Sequence, residues 1–87
     1  TFEINKIYPN PVKSDRAEIA FTTSAFGNVF IAVYDLQGNK VMDVVNGNLG
    51  SGIHGKYLDL ENLANGTYFV TMTFNGQTVS ETLNITR

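Results

Sequence analysis

The stretch TYFVTMTFNGQTVSETLNI, residues 67–85, decides the fold of this chain. Apolar residues recur at every second position of its first arm, which is the period of a strand with one buried face. Asn75-Gly76 follows at once, and both residues tolerate the positive φ that a two-residue type I′ turn requires. The stretch therefore predicts a hairpin of two strands, Thr67–Phe74 and Gln77–Ile85.

The same alternation extends outward over the rest of the chain. It predicts five further strands: Phe2–Ile7, Ala17–Thr22, Asn28–Leu36, Lys40–Val45 and Lys56–Leu60. The third of these is apolar on both faces, which favours a central strand that is covered on both sides. About seven short strands separated by turn residues are typical of an all-β protein, either an antiparallel sandwich or a small barrel.

The connections between the strands differ in character. Tyr8-Pro9-Asn10-Pro11 cannot continue a strand interior, because proline lacks the amide donor, so we expect a rigid connector. Asp35-Leu36-Gln37-Gly38-Asn39 predicts a hairpin turn in which Gly38 supplies positive φ. Asn46–Gly55 contains four glycines, and we expect a mobile loop there.

A single helical turn is the expectation for Asp59–Gly66. Leu60 and Leu63 have the spacing to enter the core from one side of such a turn. Gly66 would end it in a left-handed conformation.

Length and composition limit the possible functions. The 87 residues suit one domain, residues 1–87, in which residues 1–7 combine the end of a linker with the first strand. The chain has no cysteine and a formal charge of −2, so we expect no thiolate metal site and no electrostatic capture of nucleic acid. Its apolar runs fall far short of the ~20 residues that cross a bilayer, so we expect a chain that does not span a membrane.

Side chains that could carry chemistry are few. The single histidine, His54, lies in the predicted loop, where we expect it to be solvated. The turn carboxylates Asp35 and Asp59 are expected to accept backbone amides, and a calcium site at Asp35 with Asn39 is the alternative. We therefore expect no catalytic residue, no metal and no cofactor, and we interpret the chain as not an enzyme.

The tyrosines offer a second interpretation. Sugar rings stack on exposed aromatic rows, and the chain contains Tyr8, Tyr34, Tyr57 and Tyr68. The apolar neighbours of Tyr34 and Tyr68 favour core positions for both. A carbohydrate-binding or adhesion module appended to a secreted enzyme is thus the alternative function, and it requires two exposed, coplanar tyrosines.

The order of the motifs resembles a known family. The motifs are Tyr8-Pro9-Asn10-Pro11, VYDLQGNKV at 33–41, GIH at 52–54, LDL at 58–60, LANGTYFV at 63–70 and LNITR at 83–87. Together they resemble the C-terminal sorting domain of proteins exported by the type IX (Por) secretion system of the Bacteroidetes. The resemblance extends from Ile7 to Arg87. It is closer than the likeness to the sandwich domain of flagellar hook-capping proteins, which usually carry a Trp-Asp-Gly turn.

This resemblance implies a fold, a function and partners. The fold would be an immunoglobulin-like antiparallel β-sandwich. The domain would direct a cargo protein, attached to its N-terminus, through the outer-membrane type IX translocon with its shuttle proteins, after which a cell-surface sortase usually removes it. The cargo would then be secreted or held at the cell surface, having crossed the periplasm, and its signal peptide would lie at its own N-terminus.

The resemblance also implies recognition residues. The motif residues are Pro9, Asn10, Pro11, Asp35, Gly38, Gly66 and Tyr68. The terminal recognition strand comprises Glu81, Thr82, Leu83, Asn84, Ile85, Thr86 and Arg87. A terminal strand at a sheet edge has unpaired backbone groups to which a receptor can add a strand, and we expect the export machinery to read that edge.

Overall fold

Seven strands form two antiparallel sheets in the computed structural model of this chain, which describes residues 2–87. The strands are β1 (Phe2–Tyr8), β2 (Arg16–Thr23), β3 (Gly27–Tyr34), β4 (Lys40–Leu49), β5 (Gly52–Asp59), β6 (Gly66–Phe74) and β7 (Gln77–Ile85). One sheet has the order β1-β2-β5 and the other β4-β3-β6-β7. Residues 2–87 contain no helix, so the predicted all-β sandwich is confirmed.

The core lies between the inward faces of the two sheets. Ile19 on β2, Leu58 on β5 and Val70 on β6 are fully buried there. Burying a side chain of this size stabilises the fold by about 1.5–3 kcal/mol. Strand β3 pairs with β4 on one side and β6 on the other, so the predicted central strand is confirmed. It ends at Tyr34 and not at Leu36, whose side chain is exposed in the following turn.

The hairpin predicted from residues 67–85 is present with its expected turn. Strands β6 and β7 pair without a register shift from Gly66 opposite Ile85 to Phe74 opposite Gln77. Asn75 and Gly76 have φ values of 51° and 81°, as a type I′ turn requires. Local alternation and turn chemistry therefore determine this hairpin.

The predicted loop at Asn46–Gly55 is wrong. β4 continues to Leu49 and β5 already begins at Gly52, so the strands predicted over Lys40–Val45 and Lys56–Leu60 are both too short. Gly47 pairs with Val29, and Gly55 pairs with Ala20. Glycine lowers strand propensity, but pairing partners on neighbouring strands override that preference here.

The helical turn predicted over Asp59–Gly66 is also absent. The chain makes one tight turn instead, in which the Leu63 amide donates to the Leu60 carbonyl at 3.0 Å. Leu60 is fully buried as expected, whereas Leu63 is only partly buried against the core. Gly66 has a φ of 155° and begins β6, so it does not end a helix.

The connecting segments that carry the family motifs gather at one end of the sandwich. We call it the motif end, and it comprises residues 9–15, 35–39, 60–65 and 86–87. Tyr34, the last residue of β3, pairs with Phe69 near the start of β6, and Phe69 pairs with Thr82 near the end of β7.

The chain enters the sandwich at the opposite end. There Phe2 pairs with Thr23, and its ring centroid lies 5.6 Å from that of Phe74. Residues 2–8 are a paired strand of the fold, and Thr1 lies outside the described residues, as does the part of the linker prediction that falls on it.

Candidate functional site: the strapped terminal strand

Pro9–Val12 lies along the outer edge of β7, and we call this segment the strap. The Asn10 side chain holds the strand backbone from both directions. Its Nδ2 donates to the Thr82 carbonyl at 2.9 Å, and its Oδ1 accepts from the Asn84 amide at 3.0 Å. A single asparagine side chain thus replaces the neighbouring strand that β7 lacks at this edge.

Val12 continues the contact with backbone hydrogen bonds. Its amide donates to the Asn84 carbonyl at 2.7 Å, and its carbonyl accepts from the Thr86 amide at 2.8 Å. This makes a parallel bridge between Val12 and Ile85, and the Val12 side chain is fully buried in the core. The Tyr8–Pro9 and Asn10–Pro11 peptide bonds are both cis. The strap therefore acts as a short parallel strand that is fixed to the core at Val12.

The strap divides the edge of β7 into two halves. Successive residues of a strand direct their backbone groups to opposite sides, and in β7 the even-numbered residues face away from β6. In the strapped half, which we define as Thr82–Thr86 and which includes the residue after β7, the Thr82 carbonyl, both backbone groups of Asn84 and the Thr86 amide bond the strap. In the open half, Gln77–Glu81, those of Thr78 and Ser80 meet no other strand within residues 2–87. The expectation of an unpaired edge is therefore wrong for Thr82–Thr86, which is most of the predicted recognition strand Glu81–Arg87.

Asn65 and Arg87 close the motif end with a reciprocal pair. The Arg87 amide donates to Asn65 Oδ1 at 3.1 Å, and Asn65 Nδ2 donates to the Arg87 carbonyl at 2.8 Å. Asn65 thus resembles Asn10. Each uses its side-chain amide to pair with backbone groups, Asn10 within β7 and Asn65 just after it.

The Arg87 guanidinium turns inward toward neighbouring loops. It donates to the carbonyls of Ser14 at 3.3 Å and Leu60 at 3.0 Å, and also to that of Leu63. Asp15 lies 3.4 Å from it, and the Arg87 side chain is only 23% exposed. The only basic residue of the terminal segment thus joins two loops of the motif end.

A shallow groove of about 500 Å³ lies between these parts. Its lining includes Pro11 of the strap, Gly66 at the start of β6, and Asn84, Thr86 and Arg87 of the terminal segment. Residues from three of the motifs that the sequence suggested therefore share one surface at the motif end.

Asp35 and Gly38 lie at the same end but bond only within their own turn. Asp35 Oδ1 accepts the amides of Gln37 and Asn39, each at 2.9 Å. The Asp35 amide in turn donates to the Asn39 carbonyl at 3.0 Å. Gly38 has a φ of 87°, which glycine adopts without steric cost. These contacts hold the β3–β4 turn, and a part for either residue in recognition stays a prediction.

Tyr68 is a buried fold residue. Its hydroxyl donates to the Ala64 carbonyl, four residues upstream, at 2.7 Å. A tyrosine that bonds back to the backbone at such a corner is a hallmark of immunoglobulin-like sandwiches. The expected core position of Tyr68 is confirmed, and its ring is unavailable to an outside ligand.

His54 is not a solvated loop residue, contrary to the expectation. It lies in β5, and its ring stacks on Phe21 with a centroid distance of 5.2 Å. Its Nε2 lies 2.9 Å from the Gly50 carbonyl and 3.3 Å from Thr23 Oγ1. Because the segment is a strand, alternation turns this imidazole toward the core.

The exposed tyrosines do not form a free stacking platform. Tyr8 and Tyr57 are 39% and 69% exposed, and both pair with Glu18 on β2. The Lys6 ammonium lies 4.8 Å from the Tyr8 ring centroid, and the Arg16 guanidinium lies 5.5 Å from that of Tyr57. A hydrogen bond from the Tyr8 hydroxyl to the Glu18 carboxylate raises the pKa of that phenol. A cation therefore already occupies one face of each ring.

A comparison with known protein families identifies the family of this chain. The model of a family described as a secretion system C-terminal sorting domain matches residues 6–86. The chain belongs to this family. No curated protein matches the chain. As a type IX sorting domain it is a secretion signal, its family is non-catalytic, and it implies a cargo that is secreted or displayed at the cell surface.

The sheet architecture fits this assignment. The two sheets of the sorting domain are consistent with the immunoglobulin-like sandwich that the resemblance implied. Among residues 2–87, no helix is long and apolar enough to cross a membrane. The same residues contain no cluster of three or more side chains of the kind that hold metal ions.

Sequence reasoning missed two residues of this site. Val12 lies outside the motifs that the sequence indicated, and Asn65 was indicated only as part of the LANGTYFV motif at 63–70. Both act on the terminal strand from positions more than twenty residues away. The apolar side chain directly after the second proline is the one signal that could have indicated Val12.

Proposed function

We propose that the translocon and shuttle proteins of type IX secretion recognise the folded motif end, with the strap and the terminal strand read as one surface. The observation that carries this proposal is the two-way bond between Asn10 and the β7 backbone at Thr82 and Asn84. It joins the first motif of the family to the terminal segment. A receptor that contacts either one therefore meets both.

In this proposal the domain acts on its cargo without catalysis. The cargo precedes β1, and the chain enters the sandwich at the end opposite to the motif end. The machinery can therefore hold the motif end while the cargo extends away from it. A cell-surface sortase then cuts on the cargo side of β1, so that the removed domain keeps all seven strands of the sandwich.

A secretion assay with a matched pair of variants tests the proposal. Residues 1–87 are fused behind a signal peptide and a fluorescent reporter in a bacterium that has a type IX system. Asn10→Ala removes both bonds to β7. Asn5→Ala removes one exposed side-chain bond, that from the Thr22 hydroxyl at 2.6 Å, on β1 and outside the motif end. We expect translocon-dependent export of the parent and of Asn5→Ala, and reduced export of Asn10→Ala.

Thermal melting of each purified fusion separates recognition from folding. A folded Asn10→Ala domain that stays in the periplasm supports the proposal. Export of Asn10→Ala at the parental level would contradict it. If the parent is still exported after the translocon is deleted, its export does not use the type IX route.

A further inference from the structure

The four edge strands of the sandwich differ in how they resist pairing with another chain. Proteins protect sheet edges with lysine, with bulges or by covering them. β1 carries Lys6 and a register shift, and β4 carries Lys40 and two register shifts. β5 carries Lys56. Three of the four edges therefore carry a common form of protection.

Within residues 2–87, the open half of β7 has no lysine, bulge or cover, and its one charged side chain, Glu81, lies at the end next to the strap. Its pairing with β6 is regular, and Gln77–Glu81 contains no lysine, arginine or proline. The backbone amides and carbonyls of Thr78 and Ser80 face outward without a strand partner within residues 2–87. The strap ends this free stretch at Thr82. A regular, unprotected edge of limited length is a template for one short added strand.

We propose that the open half of β7 binds a short extended segment of the type IX machinery by strand addition. This inference rests on the proposed function and locates its contact on the part of the terminal strand that the strap leaves free. The strap blocks pairing beyond Glu81, so the segment would pair with about five residues. At a rise of about 3.4 Å per residue, this is a short strand.

The side chains beside this edge define the chemistry of the segment. Val79 and Glu81 lie on the same face of β7 as Leu83, whose side chain is buried in the core. Val79 is half-buried, and Glu81 is exposed. On β1, the edge strand of the other sheet that contacts β7, Ile4 is also half-buried. The complementary segment has an apolar residue that covers Val79 and, two positions away, a lysine or arginine that faces Glu81.

A second copy of this chain fits the same edge less well. An antiparallel pair of two open halves is centred on Val79, so the two Val79 side chains would lie opposite each other and each Glu81 would lie opposite the other copy's Gln77. Glu81 would then meet no cation. Each copy also carries the same net charge of −2. The observations therefore favour a segment of different sequence.

Proline at position 80 tests the contact with little change to the domain. The Ser80 amide faces away from β6, so Ser80→Pro removes an outward donor and keeps the β6–β7 ladder. Ser80→Ala is the matched control. Both variants lose the 3.2 Å contact between the Ser80 and Thr71 hydroxyls, but only alanine keeps the amide.

We expect the Ser80→Pro fusion to be exported roughly tenfold less than the Ser80→Ala fusion, because it loses a backbone bond and sterically blocks the neighbouring strand. Equal export of the two folded variants would overturn the inference and leave the proposed function standing. Failure of the parent fusion to be exported would instead defeat the proposed function.

A photocrosslinking residue covers the case in which Ser80→Pro does not fold. Benzoylphenylalanine at Ser80 should form an adduct with a protein of the type IX machinery. The control position is Asn46, on the opposite edge strand of the same sheet, and should form no such adduct. Adducts from both positions, none from Ser80 during active export, or only an adduct of two fusion copies would each overturn the inference.

Discussion

The two halves of β7 share one strand and one partner but differ in what lies beyond it. Both pair with β6 in the same register. The strapped half is bonded on its outer side as well, and Leu83 and Ile85 are fully buried. The open half exposes its outer backbone, and Val79 is only half-buried. The comparison indicates that the terminal strand is anchored at one end and left available at the other.

The largest expected effect distinguishes the halves by their burial. Leu83→Ala should lower the free energy of unfolding by about 2–5 kcal/mol, because it leaves a cavity in the core. Val79→Ala, in the open half, should cost only about 1 kcal/mol, since less apolar area is lost from burial. Urea unfolding followed by circular dichroism measures both. Equal costs would remove the distinction between an anchored and an available half.

Loss of the strap contact should have the next largest effect. Asn10→Ala removes two bonds to the backbone of β7 and should cost about 1–2 kcal/mol of unfolding free energy. Asn5→Ala is the control and should stay within about 0.5 kcal/mol of the parent, as for other exposed positions. The same urea titration measures them. If Asn10→Ala proved as stable as the control, the strap would not anchor the strand.

Substitution of Arg87 should have a smaller effect, which depends on the shape of its guanidinium group. Arg87→Lys keeps the charge but loses the planar fork that reaches the carbonyls of Ser14, Leu60 and Leu63. The expected cost is about 1 kcal/mol. Asp15→Asn removes only the ion pair with a largely exposed carboxylate and should cost about 0–0.5 kcal/mol. A larger loss from Asp15→Asn, by thermal melting, would mean that charge and not carbonyl bonding holds the terminus.

The smallest effect concerns the residue that precedes the strap. The hydrogen bond to Glu18, with smaller contributions from burial and nearby charge, raises the pKa of Tyr8 above its ordinary value near 10. The neutral phenol is therefore favoured in the folded state. Its stabilising contribution is complete below the unfolded pKa and is lost as the pH rises through the raised value.

An ultraviolet absorbance titration measures this shift. Comparison of the parent with Tyr8→Phe isolates the tyrosine that titrates late, and Glu18→Gln should lower its pKa. A Tyr8 phenol that titrates in the ordinary range in both the parent and Glu18→Gln would contradict the bond to Glu18.

The sequence could predict what depends on neighbouring residues. The β6–β7 hairpin follows from alternation and Asn75-Gly76, and the Asp35–Asn39 turn follows from its own hydrogen bonds. The glycines of Asn46–Gly55 predict a loop, because the sequence alone does not show the partners that hold Gly47 and Gly55 in strands. Propensity is a weak guide where such long-range pairing decides the structure.

The functional surface was predicted only in part for the same reason. The sequence indicated the proline motif and the terminal strand as separate features. Their contact joins Asn10 to Thr82 and Asn84, which lie 72 and 74 positions further along the chain. No local pattern encodes that closeness, and so the covered half of the β7 edge was expected to be free.

Hydrogen exchange at single amides of the isolated domain, followed by nuclear magnetic resonance, tests the central claim most directly. All four informative amides face away from β6. We expect those of Asn84 and Thr86, which bond the strap, to exchange at least roughly tenfold more slowly than those of Thr78 and Ser80. Fast exchange at all four would show that the strap is open in solution, and slow exchange at Thr78 and Ser80 would show that the free edge does not exist.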